Sequence, residues 1–87
     1  MEIKKKLMKR QIAGDTFLVP LGKSVYDTNG LLFLTDVGAF IWDKLPQAQS
    51  QEDIVNAILE EYEVAPDQAR EDVNAFCDKL RSLEIID

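Results

Sequence analysis

Along the first third of the chain, short mixed and apolar runs are separated by glycine and proline, the punctuation of strands rather than helices. Met8, Arg10 and Ile12 alternate with Leu7, Lys9 and Gln11, which predicts a strand over 7–13. Gly14-Asp15 follows, and glycine at the first central position of a two-residue loop predicts a type II′ hairpin. Thr16 to Pro20 then forms the return strand, ended by Pro20, which cannot donate to a ladder. Leu21 to Gly30 is a connector, and its Asn29-Gly30 is the strongest short turn signal in the chain. Leu31 to Leu34 is an unbroken apolar run, which predicts a third strand buried on both faces.

Beyond this run the period changes to that of a helix. Val37, Ile41 and Leu45 stand at i, i+4 and i+8, with Phe40 on the same side. Thr35 or Asp36 is placed to cap this helix, Gly38 and Ala39 allow a neighbour to approach closely, and Pro46 stops it. Ser50-Gln51-Glu52-Asp53 is a variant capping box with Asp where Glu is usual. It opens a second helix whose apolar face is Ile54, Val55, Ile58, Leu59 and Tyr62. Val64-Ala65-Pro66 ends that helix, and Pro66 suits the first position of a third. The third helix carries Ala69, Val73, Phe76, Leu80 and Leu83, and Ile85-Ile86 are expected to dock back on the core. A sheet over about 7–34 and helices over about 36–45, 51–62 and 66–83 give the order β-β-β-α-α-α. The expectation is a single α+β domain spanning 1–87: winged helix-turn-helix-like, a three-stranded antiparallel sheet followed by three helices.

Composition narrows the chemistry. At 46% hydrophobic residues the chain can build a core, which excludes a disordered segment. There is no His and one Cys, Cys77, so a disulfide framework, Cys/His zinc sites and Ser-His or Cys-His catalytic pairs are all excluded. Glu60 and Glu61 are helix neighbours that do not face each other, and Cys77 has only Arg81 near it on the helix, so Cys77 is read as a packing residue. No phosphate loop or dinucleotide motif is present, so neither catalysis nor a cofactor is expected. No apolar run approaches the ~20 residues of a membrane span, and no apolar core follows the basic start. The expected location is cytoplasmic, with no membrane partner.

The net charge of −6 is unevenly placed: residues 1–10 carry net +4 and the other 77 carry net −10. Lys4, Lys5 and Lys6 are read either as a solvated arm or as a strip that steers an acidic peptide. The helix-turn-helix pair is acidic, net −5 over Glu52 to Glu63 and net −2 over Asp67 to Glu84, the wrong sign for a helix held against phosphates. Nucleic acid is therefore not an expected partner. An exposed edge on the apolar third strand instead suits β-augmentation, in which a partner peptide adds as a further strand.

The segment L-F-L-T-D-V-G-A-F-I-W-D-K-L (Leu32 to Leu45) resembles the strand-into-helix signature of the PqqD family, named for pyrroloquinoline-quinone biosynthesis. Glu52 to Val55, Tyr62 with Val64, Glu71 to Leu80 and Leu83 to Ile86 are similar to the family as well. Thr35 stands where the family usually has Asn, and Glu84 where Gly is common. The resemblance implies a RiPP recognition element: a non-catalytic, monomeric domain that binds the leader of a ribosomally made precursor peptide. Such a domain presents its peptide to a modifying enzyme, often a radical S-adenosylmethionine enzyme. On this resemblance the backbone of Leu31, Leu32, Phe33, Leu34 and Thr35 would pair with the peptide, the side chains of Leu32, Phe33 and Leu34 would form a floor, and Asp72, Phe76, Lys79, Leu80 and Leu83 would form a wall. Trp42 is expected to be at least half buried. The alternatives are a winged-helix DNA binder and a dimerisation module whose open edge pairs with its own copy.

Overall fold

A tight hairpin opens the structure. The computed structural model describes residues 1–23 and 30–87. The turn expected at Asn29 lies outside the described residues. Strands β1 (Leu7–Ile12) and β2 (Asp15–Pro20) pair antiparallel from Leu7↔Pro20 to Ile12↔Asp15. The loop is therefore Ala13-Gly14, not Gly14-Asp15. Both residues have positive φ (53° and 87°), the sign pattern of a type I′ turn rather than the expected II′.

Strand β3 (Leu32–Leu34) pairs antiparallel with β2 through Thr16↔Leu34, Phe17↔Phe33 and Leu18↔Leu32, giving the sheet order β1-β2-β3. It is not buried on both faces. Leu34 and Leu18 face the core, whereas Phe33 projects to the outer face, is 54% exposed, and meets Phe17 edge-on at 5.8 Å. A strand covered by helices on one side only alternates in this way, and an unbroken apolar run hides that alternation.

The helices are α1 (Asp36–Lys44), α2 (Gln51–Glu61) and α3 (Pro66–Ser82), with a 3₁₀ turn at Leu45–Gln47. Thr35 is the cap of α1: its Oγ1 accepts from the Gly38 N–H at 3.0 Å. Ser50 caps α2, and Asp53 reaches back to accept from the Gln49 N–H at 2.9 Å, one residue earlier than in the usual box. Pro66 occupies the first turn of α3, where its missing N–H costs nothing. Ile54, Val55 and Ile58 of α2 pack with Ala69, Val73, Cys77 and Leu80 of α3, and Trp42 of α1 is 8% exposed, well beyond half buried. The buried stripe of α3 runs through Cys77, which leaves Phe76 and Leu83 half buried at its border.

Both ends of the chain are tied to this core. Past α3, Glu84 N–H donates to the Arg81 carbonyl and Ile85 N–H to the Leu80 carbonyl, both at 2.9 Å, the paired bonds of a Schellman motif. That turn buries Ile85 and Ile86, as expected. The basic start is not a solvated arm. Its terminal ammonium donates to the Leu45 carbonyl at 2.8 Å and to the Ala48 carbonyl, Ile3 packs on the core, and Lys4 N–H donates to the Ile85 carbonyl at 2.7 Å. Lys5 Nζ donates to the Leu83 carbonyl at 2.8 Å. The apolar residues at positions 1 and 3 have a place to dock, so the lysines that follow them are held in position.

Candidate functional site

A sheet ordered β1-β2-β3 leaves one backbone edge of β3 without a strand partner among the described residues. That edge borders α3. Two hollows lie along this side of α3, one between it and the start of β3, the other between it and the first turns of α1. The first, about 200 Å³, is lined by Leu31 and Leu32 on one side and Lys79 and Leu83 on the other, with Leu7, Leu18 and Ile85 beneath. The second, about 230 Å³, is lined by Thr35, Val37, Gly38 and Ile41 facing Asp72, Ala75 and Phe76. Together they form a groove with an apolar floor and with one cation and one carboxylate on its α3 wall; the opposite side is the β3 edge, without a strand partner among the described residues, in the first hollow and the first turns of α1 in the second.

The local sequence builds this groove directly. Residues 72, 76, 79 and 83 recur at helical spacing and line one side of α3. Gly38 lets the Phe76 ring lie against the first turn of α1. A Cβ there would meet Phe76 Cε1 at 3.4 Å and the capping Thr35 Oγ1 at 3.3 Å. Asp72 accepts from Gln68 Nε2 at 2.9 Å, which fixes its carboxylate on the rim. Lys79 is exposed and makes no ion pair among the described residues.

Several expected site residues stand elsewhere. Phe33 projects to the opposite face of the sheet, so its side chain is not part of the floor, although its backbone belongs to the edge. Leu80 is fully buried and lines neither hollow; it supports the wall from behind. Leu34 is likewise core. Leu31, Leu32, Thr35, Asp72, Phe76, Lys79 and Leu83 do line the groove. The floor residues Leu7, Leu18 and Ile85 were not anticipated, because their side chains meet only after the sheet and the Schellman turn have formed. Gly38 carried a signal, a small residue in an otherwise bulky helix face.

Neither a nucleophile nor a metal cluster accompanies the groove. Cys77 is fully buried, and burial pushes its thiol above the ordinary range, opposed by Arg81 and reinforced by Asp78. No cluster of three or more His, Cys, Asp or Glu suited to a metal is present among the described residues. No helix among them is long and apolar enough to cross a membrane. A larger hollow of about 510 Å³ lies between β1 and α1, but it is rimmed by charged groups, two of which, Lys9 and Asp43, pair at 2.6 Å.

An α+β fold of three antiparallel strands and three helices, with a strand edge unpartnered among the described residues and set along a helical groove, defines a class of small peptide-docking modules. Residues 22–86 match the family described as coenzyme PQQ synthesis protein D (PqqD), and the chain belongs to that family. Among solved structures it is similar to TbiB1 in complex with the TbiA(beta) leader peptide, at 27% identity and a TM-score of 0.72. The match covers 98% of this chain and 93% of that one. Among curated proteins, none matches the sequence.

Proposed function

We propose that this protein is a non-catalytic carrier that captures the leader segment of a ribosomally made precursor peptide and presents it to a modifying enzyme of the radical S-adenosylmethionine class. The observation that carries the reading is the edge of β3, which has no strand partner among the described residues, set beside two apolar hollows. The leader adds as a fourth strand to the backbone of Leu31 to Thr35, and side chains of that strand enter the hollows beside Phe76 and Leu83. Membership of the PqqD family and the likeness to TbiB1, whose structure holds a leader peptide, support it. The absence of His from the sequence and the burial of the Cys77 thiol support leaving the chemistry to the partner.

Backbone pairing supplies generic affinity, and the two hollows supply selectivity. Ordering a disordered leader costs on the order of 2–5 kcal/mol, so dissociation constants between micromolar and high nanomolar are expected. The test is titration of isotopically labelled protein with the leader of the precursor encoded in the neighbouring gene. Amide shifts should concentrate in residues 31–35 and along α3, and the folded Phe76→Ala variant should bind at least about tenfold more weakly, as loss of a central aromatic anchor does. Shifts confined to other surfaces would remove the groove assignment. Self-association on dilution-sensitive sedimentation, without peptide, would favour a dimerisation module.

A further inference from the structure

The groove is not uniform along its length. Its α3 wall presents Asp72, Phe76, Lys79 and Leu83 in that order, so the cation stands between the two half-buried apolar residues. A second ammonium, that of Lys5, is held 2.8 Å from the Leu83 carbonyl at the same end. The opposite end carries the carboxylate of Asp72, and elsewhere the body is strongly acidic. Lys79 is therefore a local positive mark on a negative molecule, and it is exposed with no ion pair among the described residues.

The dimensions say which residue of a docked strand meets it. The hollows are flanked by Leu31–Leu32 and by Thr35 on the strand side, and their α3 walls are centred about seven residues apart. Seven helical residues span roughly 10.5 Å, and four strand residues roughly 13 Å. Only alternate side chains of an added strand face the groove, so the two anchors must be an even number of positions apart. Four fits both walls. The residue midway between them also faces the groove, and Lys79, on the Phe76 side of the first hollow, is the groove-lining cation nearest to it among the described residues.

We propose that the groove selects peptide segments of the pattern apolar, any, acidic, any, apolar, and that Lys79 is the residue that reads the central Asp or Glu. This rests on β3 being the peptide-binding edge. It adds a substrate class: leaders whose docking segment carries a carboxylate between two apolar anchors. An ion pair at a partly exposed position supplies about a two- to fivefold preference, enough to discriminate between leaders that pair equally well with the backbone.

The probe is a randomised twelve-residue peptide library displayed on phage and panned on the immobilised full chain, on Lys79→Gln and on Lys79→Glu. Circular dichroism first verifies that both variants fold, as expected for an exposed helix position. Selected peptides are then tested by amide shifts for docking at residues 31–35. The expected result is enrichment of Asp or Glu at the central position on the wild-type chain, loss of that preference on Lys79→Gln, and a switch to Lys or Arg on Lys79→Glu. Peptides that dock at residues 31–35 with no central acidic preference, or with one that both variants retain, overturn the inference and leave the β3 reading standing. A library yielding no peptide that perturbs residues 31–35 overturns the β3 reading and the inference with it.

Discussion

Glu84 is held at φ 59°, in the left-handed region where an L side chain crowds its own carbonyl. It sits at the residue after the α3 cap, the position of a Schellman motif that glycine usually fills, and the one where the family commonly has Gly. The departure visible in the sequence thus has a physical cost here. Glu84→Gly should raise unfolding stability by about 1 kcal/mol, net of the entropy glycine adds to the unfolded chain, with the urea midpoint as the readout. No rise would mean that the Glu side chain makes up for the strain. Ala13, at φ 53°, carries a similar strain in the hairpin, and that strain was not legible. Gly14 signalled a two-residue loop, but the register that puts Ala13 rather than Asp15 inside it depends on which residues of β2 face the core.

At the scale of elements, helices were easier to read than strands. The caps at Thr35 and Ser50, the break at Pro66 and the period of α3 each name one structure, and the observed bounds fall within a residue or so of those expected. Strand β3 has only three residues, all apolar, so nothing in Leu-Phe-Leu tells which face each side chain takes. Phe33 on the outer face is the consequence, and in α3 it is Cys77 rather than Phe76 that completes the buried stripe. Both bear on the groove, since Phe76 is available to it because Cys77 fills the core. The two sheet faces can be separated by substitution. Phe33→Lys removes an exposed ring and its edge-on contact with Phe17, costing about 0.5–1.5 kcal/mol, yet should change leader affinity less than about threefold in a fluorescence titration. A tenfold loss would put the Phe33 side chain into the binding surface.

For the whole molecule, the sheet-then-helices plan was readable from the change of period, but the closure of the chain on itself was not. Five basic residues in the first ten read as a solvated strip, and only the Met1 and Ile3 contacts reveal a docked strap. Two half-buried apolar side chains and the Lys4–Ile85 hydrogen bond contribute about 2–3 kcal/mol together. Deleting residues 1–6 should lower unfolding stability by about that amount, and nearly equally at low and high salt, because the Lys4–Asp87 pair is exposed. A loss that vanishes in high salt would instead make the strip an electrostatic device.

The bond between Lys4 and Ile85 makes the molecule nearly a ring. The C-terminal turn lies beside Leu83 and the hollow it lines, whereas Met1 is held by the Leu45 and Ala48 carbonyls. A segment genetically attached after Asp87 therefore starts two residues from Ile85, which lines the groove. A flexible ten-residue Gly/Ser tether spans roughly 17 Å, sufficient to lay a peptide along β3 in the same molecule. Such a fusion converts encounter into a local search at an effective concentration of order millimolar, above the dissociation constant expected for the separate peptide. Fusion of a peptide at the C-terminal side thus gives the shorter reach to the groove.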